Sequence, residues 1–335
     1  EARISFHIYA DKKGNWSSEI DKLLKSFTKI RIEIQSGNKP FIPLIDGPVV
    51  GYEIYMSSKT GKSYVTIIVQ DDSVLLNLND EIIKFEARTD GQIVQEIFNS
   101  YGLVPEIEWQ NIKTPPLNPP LDFIQRGTAI QVLKKLAKRQ GMSFCILPGR
   151  LPGKSRGCFF NLSTRVSDLT PLILLGNKKN IEYFSVKNDA QKISKIEASS
   201  IRIASKEIST SISNIQDIPL LGDKIGSESA LETPTRRLPP HQDATVDLDN
   251  AVLAEAKRSS YTIQAEGKIL SNKYPDILSP YQVISVYGVK PKISGDYLIR
   301  GVTHNISPSQ YGQTFRLLRN AQTEIGLKTL GDDLF

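Results

Sequence analysis

The chain has 335 residues, long enough for two or three compact domains, each with its own apolar core. Its hydrophobic fraction of 39% is ordinary, its net charge is only +6, and its two cysteines are too few for a disulfide framework. No apolar run reaches the roughly 18 residues that a membrane helix needs, Leu172–Leu175 beside Pro171 being typical, so a helical membrane span is excluded.

At the start, Glu1-Ala2-Arg3-Ile4 has neither an initiator Met nor the basic-then-apolar profile of a secretory signal. The start is expected to be trimmed, cleaved or not included, and export by the general route is not supported. From Phe27 to Asp72 the pattern is repeatedly extended. Ile30, Ile32 and Ile34 alternate with Arg31 and Glu33, as one buried and one wet strand face require. Val49–Met56 and Tyr64–Val69 read as further strands, joined by the turn formers Ser57-Ser58-Lys59-Thr60-Gly61-Lys62. Residues 1–88 are therefore expected to hold an N-terminal segment and a first antiparallel barrel or sandwich.

The period then changes to that of a helix. Ile93, Val94, Ile97, Phe98 and Tyr101 share one stripe, Thr89 and Gln92 have capping-box spacing, and Gly102 supplies the stop. The same logic recurs with Thr128 and Gln131, then Val132, Leu133, Leu136 and Ala137 on one face, and Gly141 at the end. Between the two helices, Lys113-Thr114-Pro115-Pro116-Leu117-Asn118-Pro119-Pro120 is expected to run extended over the surface. Met142–Leu147 and Cys158–Leu162 read as a hairpin around Pro148–Gly157. A register centred between Leu151 and Pro152 would set Cys145 opposite Cys158, within disulfide range in principle. Residues 89–178 thus form an α+β middle domain.

Strands resume at Ile181–Lys187 and Lys192–Ala204. Ser205–Leu248 turns polar, with Thr233-Pro234-Thr235 and Leu238-Pro239-Pro240 as breakers, and Asn250–Arg258 reads as a short Ala-rich helix. Residues 205–258 are expected to be an irregular insertion with a short helix, lacking a core of its own. Tyr261–Ala265, Tyr281–Tyr287, Tyr297–Asn305 and Thr314–Leu318 return to strand patterns. A second barrel is therefore assigned to 179–204 plus 259–322, followed by a tail at 323–335.

Signals for chemistry are weak. Thr60-Gly61-Lys62-Ser63 matches the end of a phosphate-binding loop, but Met56 stands where the leading glycine belongs, and a strand follows where a helix must. A hairpin turn is expected. Gly153-Lys154-Ser155-Arg156-Gly157 spells a nucleophile elbow, but a proline-rich loop precedes it and a strand follows, so a flexible loop with a solvated Ser155 is expected. His7, His241 and His304 have no neighbouring His or Cys to suggest zinc, and His304 reads as packing or a polar strand edge. Cys145 and Cys158 fit no metal spacing, and a reducing compartment is the expected setting for assembly. Asp71-Asp72 and Asp332-Asp333 read as solvated turns. Lys134, Lys135 and Lys138 fall on the polar side of the second helix, so the cluster they form with Arg139, Arg150, Lys154 and Arg156 is read as a wet face, not a nucleic-acid patch. No catalytic, cofactor-binding or metal residue is assigned.

The stretch Asp122-Phe123-Ile124-Gln125-Arg126-Gly127-Thr128-Ala129-Ile130-Gln131-Val132-Leu133-Lys134-Lys135-Leu136-Ala137, running on through Gly141 to Phe144, resembles the central signature of the phage late control D family. That signature is a glutamine-led strand, a polar step, a helix with a Leu-x-x-Leu-Ala pattern, and a glycine before an aromatic strand. The chain departs from it where Gly127-Thr128 replaces an acidic residue and Lys138-Arg139-Gln140 replaces an acidic helix end. Thr89–Ile97 resembles the family's preceding helix. Ser294–His304, leading to Tyr311-Gly312-Gln313-Thr314-Phe315-Arg316, resembles its C-terminal strand. The likeness runs from about Phe27 to Asn320.

The family includes baseplate hubs of contractile phages and the hub part of type VI secretion spike proteins. The resemblance implies a β-rich α+β fold, with two tail-tube-like antiparallel barrels and an α+β domain between them. It implies a non-enzymatic hub, a homotrimer whose pseudo-sixfold ring adapts a hexameric tail tube to a trimeric spike. Expected partners are the tube protein, the spike protein and other baseplate proteins, with no cofactor, no small-molecule substrate and no specific nucleic acid. The chain ends at Gly331-Asp332-Asp333-Leu334-Phe335 without a β-helix or hydrolase, so the spike is expected to be a separate protein. Assembly is expected in the cytoplasm, and the finished particle is a virion or an extracellular or membrane-anchored device. A cell-wall hydrolase remains an alternative, because its carboxylate pair is assembled in space and leaves no spacing to read. A nucleic-acid-binding β-barrel, favoured by the basic balance and scattered tyrosines, is the other.

Overall fold

The computed structural model describes residues 1–17, 20–113, 122–189, 195–202, 207–213, 218–225, 235–238, 248–270 and 273–323. The proline-rich connector after Lys113, His241 and the Asp332-Asp333 pair therefore lie outside the described residues. The protein is mostly β and divides into two compact units: Glu1–Ala137 with Ser143–Phe160, and Lys138–Met142 with Asn161–Phe335. Each contains a curled half-barrel sheet.

In the first unit, β1 (Ala2–His7), β2 (Lys29–Ile34), β3 (Ile42–Tyr55) and β4 (Tyr64–Val69) form a sheet in the order β1-β4-β3-β2. β1 carries Ala2, Ile4 and Phe6 on one face, a short alternation with Arg3, Ser5 and His7 on the other. β3 starts seven residues before the expected Val49 and changes partner midway: residues 42–48 pair with β2, and residues 49–55 pair with β4. Register shifts at both pairings let this 14-residue strand bend, which curls the sheet. The core lies on the face of Ile45, Val49, Ile67 and Val69, continued by Ile4 and Phe6 of β1 and packed against Ile20, Leu23 and Leu24. Arg31, expected on the wet face of β2, has a side chain only 11% exposed, because it pairs at 2.8 Å with Asp46, itself 2% exposed.

The remainder of this unit is α+β. β5 (Asp80–Phe85) pairs with β7 (Phe123–Thr128), and β6 (Val104–Ile107) joins β8 (Ser143–Leu147) and β9 (Arg156–Phe160) in a three-stranded sheet. Both helices, α1 (Asp90–Ser100) and α2 (Ala129–Gln140), carry the reciprocal caps that their sequences spell. Thr89 Oγ1 accepts from Gln92 N while Gln92 Oε1 accepts from Thr89 N, and Thr128 and Gln131 repeat the exchange. Both end on glycines in the left-handed region, Gly102 at φ +68° and Gly141 at φ +66°. The β8–β9 hairpin adopts the expected register, with Cys145 directly opposite Cys158 and both thiols free.

The second unit is built on six strands in the order β10-β17-β18-β19-β16-β11: β10 (Leu172–Ile173), β11 (Ile181–Asn188), β16 (Ile263–Ile269), β17 (Val283–Tyr287), β18 (Gly295–Ser307) and β19 (Gln310–Arg319). Its core is packed around Tyr297, Phe315, Leu317 and Ile299, all at most 1% exposed, with Phe184 edge-on to Tyr297 at 5.8 Å. A bulge between Ile299 and Gly301 bends the 13-residue β18. Buried Asn180 draws the two edge strands together at one end: its side chain accepts from Ile173 N and donates to Pro171 O, while its carbonyl accepts from Leu270 N.

Lys195–Arg202 (β12) was expected in this sheet and lies outside it. It pairs instead with β13 (Glu207–Ile212) and β15 (Thr235–Arg237), and α3 (Leu248–Ser260) packs on them around Ile196, Ala198, Ile218, Val252 and Ala256. The polar stretch Ser205–Leu248 thus helps to build a small core, which its sparse apolar residues had hidden. Between its strands, Leu221 is 2% exposed against Val283 and Leu298, and β14 (Lys224–Ile225) pairs with β20 (Ala321–Gln322).

Candidate assembly surface

The sequence motifs for chemistry resolve into structure. Thr60-Gly61-Lys62-Ser63 is the expected hairpin turn: Lys62 N bonds Lys59 O, Gly61 has φ +72°, and Ser63, 3% exposed, accepts from Ser57 N through its hydroxyl. β4 follows, so no helix N-terminus faces the turn.

Ser155 is not solvated, as expected from its loop, but 1% exposed. Its hydroxyl donates to Asp72 Oδ2 at 2.7 Å, and Lys29 Nζ donates to the same oxygen at 2.8 Å. Asp72, read as part of a solvated turn, is 3% exposed, while Asp71 caps a 3-10 turn by accepting from Ser73 N. The serine proton is directed at a carboxylate already holding an ammonium, and the oxygen is closed to solvent, so the group cannot work as a nucleophile elbow. Two residues earlier, Gly153 N donates to Asp46 Oδ2 at 2.8 Å. Two buried carboxylates therefore fasten the β8–β9 loop to the strands and turn of the first half-barrel.

His304 packs in a strand, as read from its neighbours. Its ring stacks on Tyr311 at 6.0 Å with an interplanar angle of 4°, and Nδ1 lies 2.8 Å from the phenol oxygen. Burial pushes its pKa down and moves that of Tyr311 up to about 12. Lys134, Lys135 and Lys138 are exposed along the polar side of α2, as expected, and Arg156 binds both oxygens of Glu106. Among the described residues no group of three or more His, Cys, Asp and Glu is placed to hold a metal ion.

What the first unit does present is an apolar strand end. On the β3–β4 hairpin Tyr52, Ile54, Tyr55 and Met56 are about half exposed, and Tyr55 stacks on Tyr64 at 5.2 Å. Register sets Tyr52 against Ile67 and Ile54 against Val65, so these side chains extend the core face of the sheet beyond the part that is covered. β2 and the two residues before it reach only as far as Val49, which leaves residues 50–55 of β3 with a strand neighbour on one side only among the described residues. Ile82 (83% exposed) and Ile124 add apolar side chains to one face of the β5–β7 ribbon. In the second unit β11 is the outermost strand of its sheet, and Glu182, Tyr183 and Lys187 are exposed along it. Contiguous apolar side chains at an open strand edge mark a surface for another protein. No contact residue was assigned from sequence. The readable signal was Tyr52-Glu53-Ile54-Tyr55-Met56, apolar on both faces in a hairpin strand that should alternate.

No family model and no curated protein sequence matches the chain. Its fold matches solved tail proteins. The 43 kDa tail protein of prophage MuSo2 from Shewanella oneidensis superposes with a TM-score of 0.59 at 13% identity, over 95% of this chain and 88% of that one. The tail protein from Neisseria meningitidis MC58 superposes with a TM-score of 0.59 at 12% identity, over 83% of this chain and 80% of that one. The chain has the fold of phage tail proteins.

Proposed function

We propose that the protein is a structural baseplate hub of a phage-like contractile injection system, three copies of which close a ring that joins a hexameric tail tube to a trimeric spike. The observation that carries this reading is the pair of curled, open sheets, one in each unit. A sheet that stops short of closure leaves strand edges, and a ring of subunits removes them. Two half-barrels per chain and three chains give six similar positions, the number that a hexameric tube presents. The tail-protein fold over nearly the whole chain and the late control D motifs support the same role.

In this reading the four-stranded sheet of β1–β4 and the six-stranded sheet of β10, β11 and β16–β19 are the two tube-like elements, and residues 89–160 are the α+β piece that lies between them in sequence. The exposed β3–β4 hairpin and the β11 edge face neighbouring subunits, the tube, the spike or other baseplate proteins. The role is non-enzymatic, since the serine that the elbow motif singled out is buried under a carboxylate. Assembly takes place in the cytoplasm, and the product is a virion or an extracellular or membrane-anchored particle. Among the described residues no helix is long and apolar enough to cross a membrane.

Mass in solution tests the ring. Light scattering across a concentration series is expected to give a trimer, or a monomer that becomes trimeric when the tube or spike protein is added. A stable dimer would overturn the proposal.

A further inference from the structure

The β8–β9 hairpin places the chain's two cysteines directly across a ladder, with Leu147 to Ser143 pairing from Arg156 to Phe160. Directly opposed residues of an antiparallel pair have Cα atoms about 4.5–5.5 Å apart, inside the window of about 4.4–6.8 Å that a disulfide spans. Both thiols are free. Cys158 is 7% exposed and its thiol donates to Glu106 Oε2 at 3.6 Å, whereas Cys145 is partly exposed. No other cysteine exists in the chain to compete.

We propose that Cys145 and Cys158 are a thiol–disulfide site, closed across the β8–β9 ladder by a small-molecule disulfide such as oxidised glutathione. The inference is independent of the ring proposed above. The neighbouring Cys145 thiol lowers the pKa of Cys158 against the opposing effects of burial and the Glu106 carboxylate, and Cys145 is itself pushed up. The thiolate form is the nucleophile in disulfide exchange, so Cys158 is the attacking sulfur. It attacks one sulfur of the small disulfide, whose S–S bond breaks, and the released thiolate takes up the Cys158 proton. Cys145 then attacks the Cys158 sulfur of the mixed disulfide and expels the second thiolate, which takes up the Cys145 proton. The protein loses two electrons and two protons, and the small disulfide leaves as two thiols. The closed site would hold the base of the hairpin whose loop reaches Asp46 and Asp72. A change from reducing to oxidising surroundings would therefore stiffen the seam between that loop and the first half-barrel.

The folded full-length chain, incubated in glutathione buffer with the oxidised form in excess and quenched with N-ethylmaleimide, tests this by intact mass. The expected product is about 2 Da lighter than the reduced chain, carries no maleimide, and reverts with dithiothreitol. A Cys145→Ser chain should instead keep one glutathione on Cys158. Two maleimide adducts on the native chain, a retained glutathione adduct or a disulfide-linked dimer would each overturn the proposal.

Discussion

Ser155 and Asp72 are separated by 83 residues in sequence and by 2.7 Å in space, and the bond between them is sealed from solvent. Asp72 Oδ2 also receives Lys29, while its Oδ1 has no partner among the described atoms. The carboxylate thus depends on two donors for nearly all of its compensation. A buried charge that loses a donor retains its desolvation cost, so this pair should be sensitive to small changes.

Ser155→Ala is expected to lower stability by about 1.5–3 kcal/mol, the range for a hydrogen bond to a charged group. With Asp72→Asn already in place the same change should cost less, because no buried charge is then left short of a donor. Urea denaturation of the four chains in this cycle reads the difference. Additive costs would show that the loop and the turn are not coupled.

Local elements were legible because their signals are short-range. Thr89 with Gln92 and Thr128 with Gln131 cap their helices as written, and the hairpin arithmetic that set Cys145 opposite Cys158 needed only a loop centre. Burial of charge was not legible. Arg31, Asp72 and Ser155 looked like surface residues, and each is buried against a partner elsewhere in the chain, Asp46 for Arg31 and each other for Asp72 and Ser155. Long-range pairing misled in the same way. Lys195–Arg202 has a strand pattern that suits the large sheet, and only its partners Glu207–Ile212 and Thr235–Arg237 show that it belongs elsewhere. The apolar hairpin end was written in Tyr52–Met56, but exposed apolar side chains on both faces violate alternation instead of obeying it.

Arg319 gives the second unit a comparable dependence. Its side chain is 1% exposed and donates to Leu221 O, Ser294 O and Thr323 Oγ1, with the guanidinium 5.2 Å from the centre of the Tyr297 ring. Gly222 and Gly295 make room for it, since an added Cβ would stand 2.7 and 2.6 Å from Nη2. A lysine ammonium cannot reach three acceptors arranged for a planar fork. Arg319→Lys should cost about 3 kcal/mol or more, the scale for disrupting a buried charge. Thermal unfolding followed by near-ultraviolet dichroism would reveal it, and an unchanged midpoint would mean that the fork is dispensable.

Acid should weaken the β18–β19 pair through His304. Burial depresses the pKa of the folded ring, so the unfolded chain binds the proton more readily. The stability that the neutral ring contributes is fully present above the ordinary value of about 6.5, and is lost as pH falls from there through the folded value. Because the ring is only partly buried, the slope should stay below one proton, or about 1.4 kcal/mol per pH unit. Comparing urea midpoints of the parent and His304→Gln between pH 7.5 and 5 isolates the effect. Identical pH profiles would assign the acid sensitivity to another group.

The hairpin surface should matter for association and little for folding. Tyr52 and Ile54 are 50% and 49% exposed, so changing both to Ser should shift monomer stability by no more than about 0.5 kcal/mol per residue. If residues 49–56 meet a neighbour, sedimentation velocity should show the variant moving from the assembled species toward the monomer at concentrations where the parent remains assembled. Full assembly of the variant would place the interface on another edge.

The segment Ser205–Leu248 offers the sharpest contrast with its sequence. A polar loop of this composition would tolerate replacement by a Gly/Ser linker. Its described parts do otherwise: Ile208–Ile212 pairs with β12, Ile218 enters the α3 core, Leu221 packs on Val283 and Leu298, and the Leu221 carbonyl accepts from Arg319. Replacing residues 205–247 would expose Ile196 and Val252, now 0% and 1% exposed, and would strip Arg319 of one acceptor. The replaced chain is therefore expected to lose the cooperative unfolding of its second unit. Leu221→Ala alone should cost about 2–5 kcal/mol, as for other buried leucines, whereas Ile208→Ser, at a side chain 69% exposed, should cost little. Hydrogen exchange separates the two outcomes. Amides of Ile263–Ile269 and Gln310–Arg319 should lose protection in Leu221→Ala and keep it in Ile208→Ser, and equal protection in both would make the segment the loop that its composition describes.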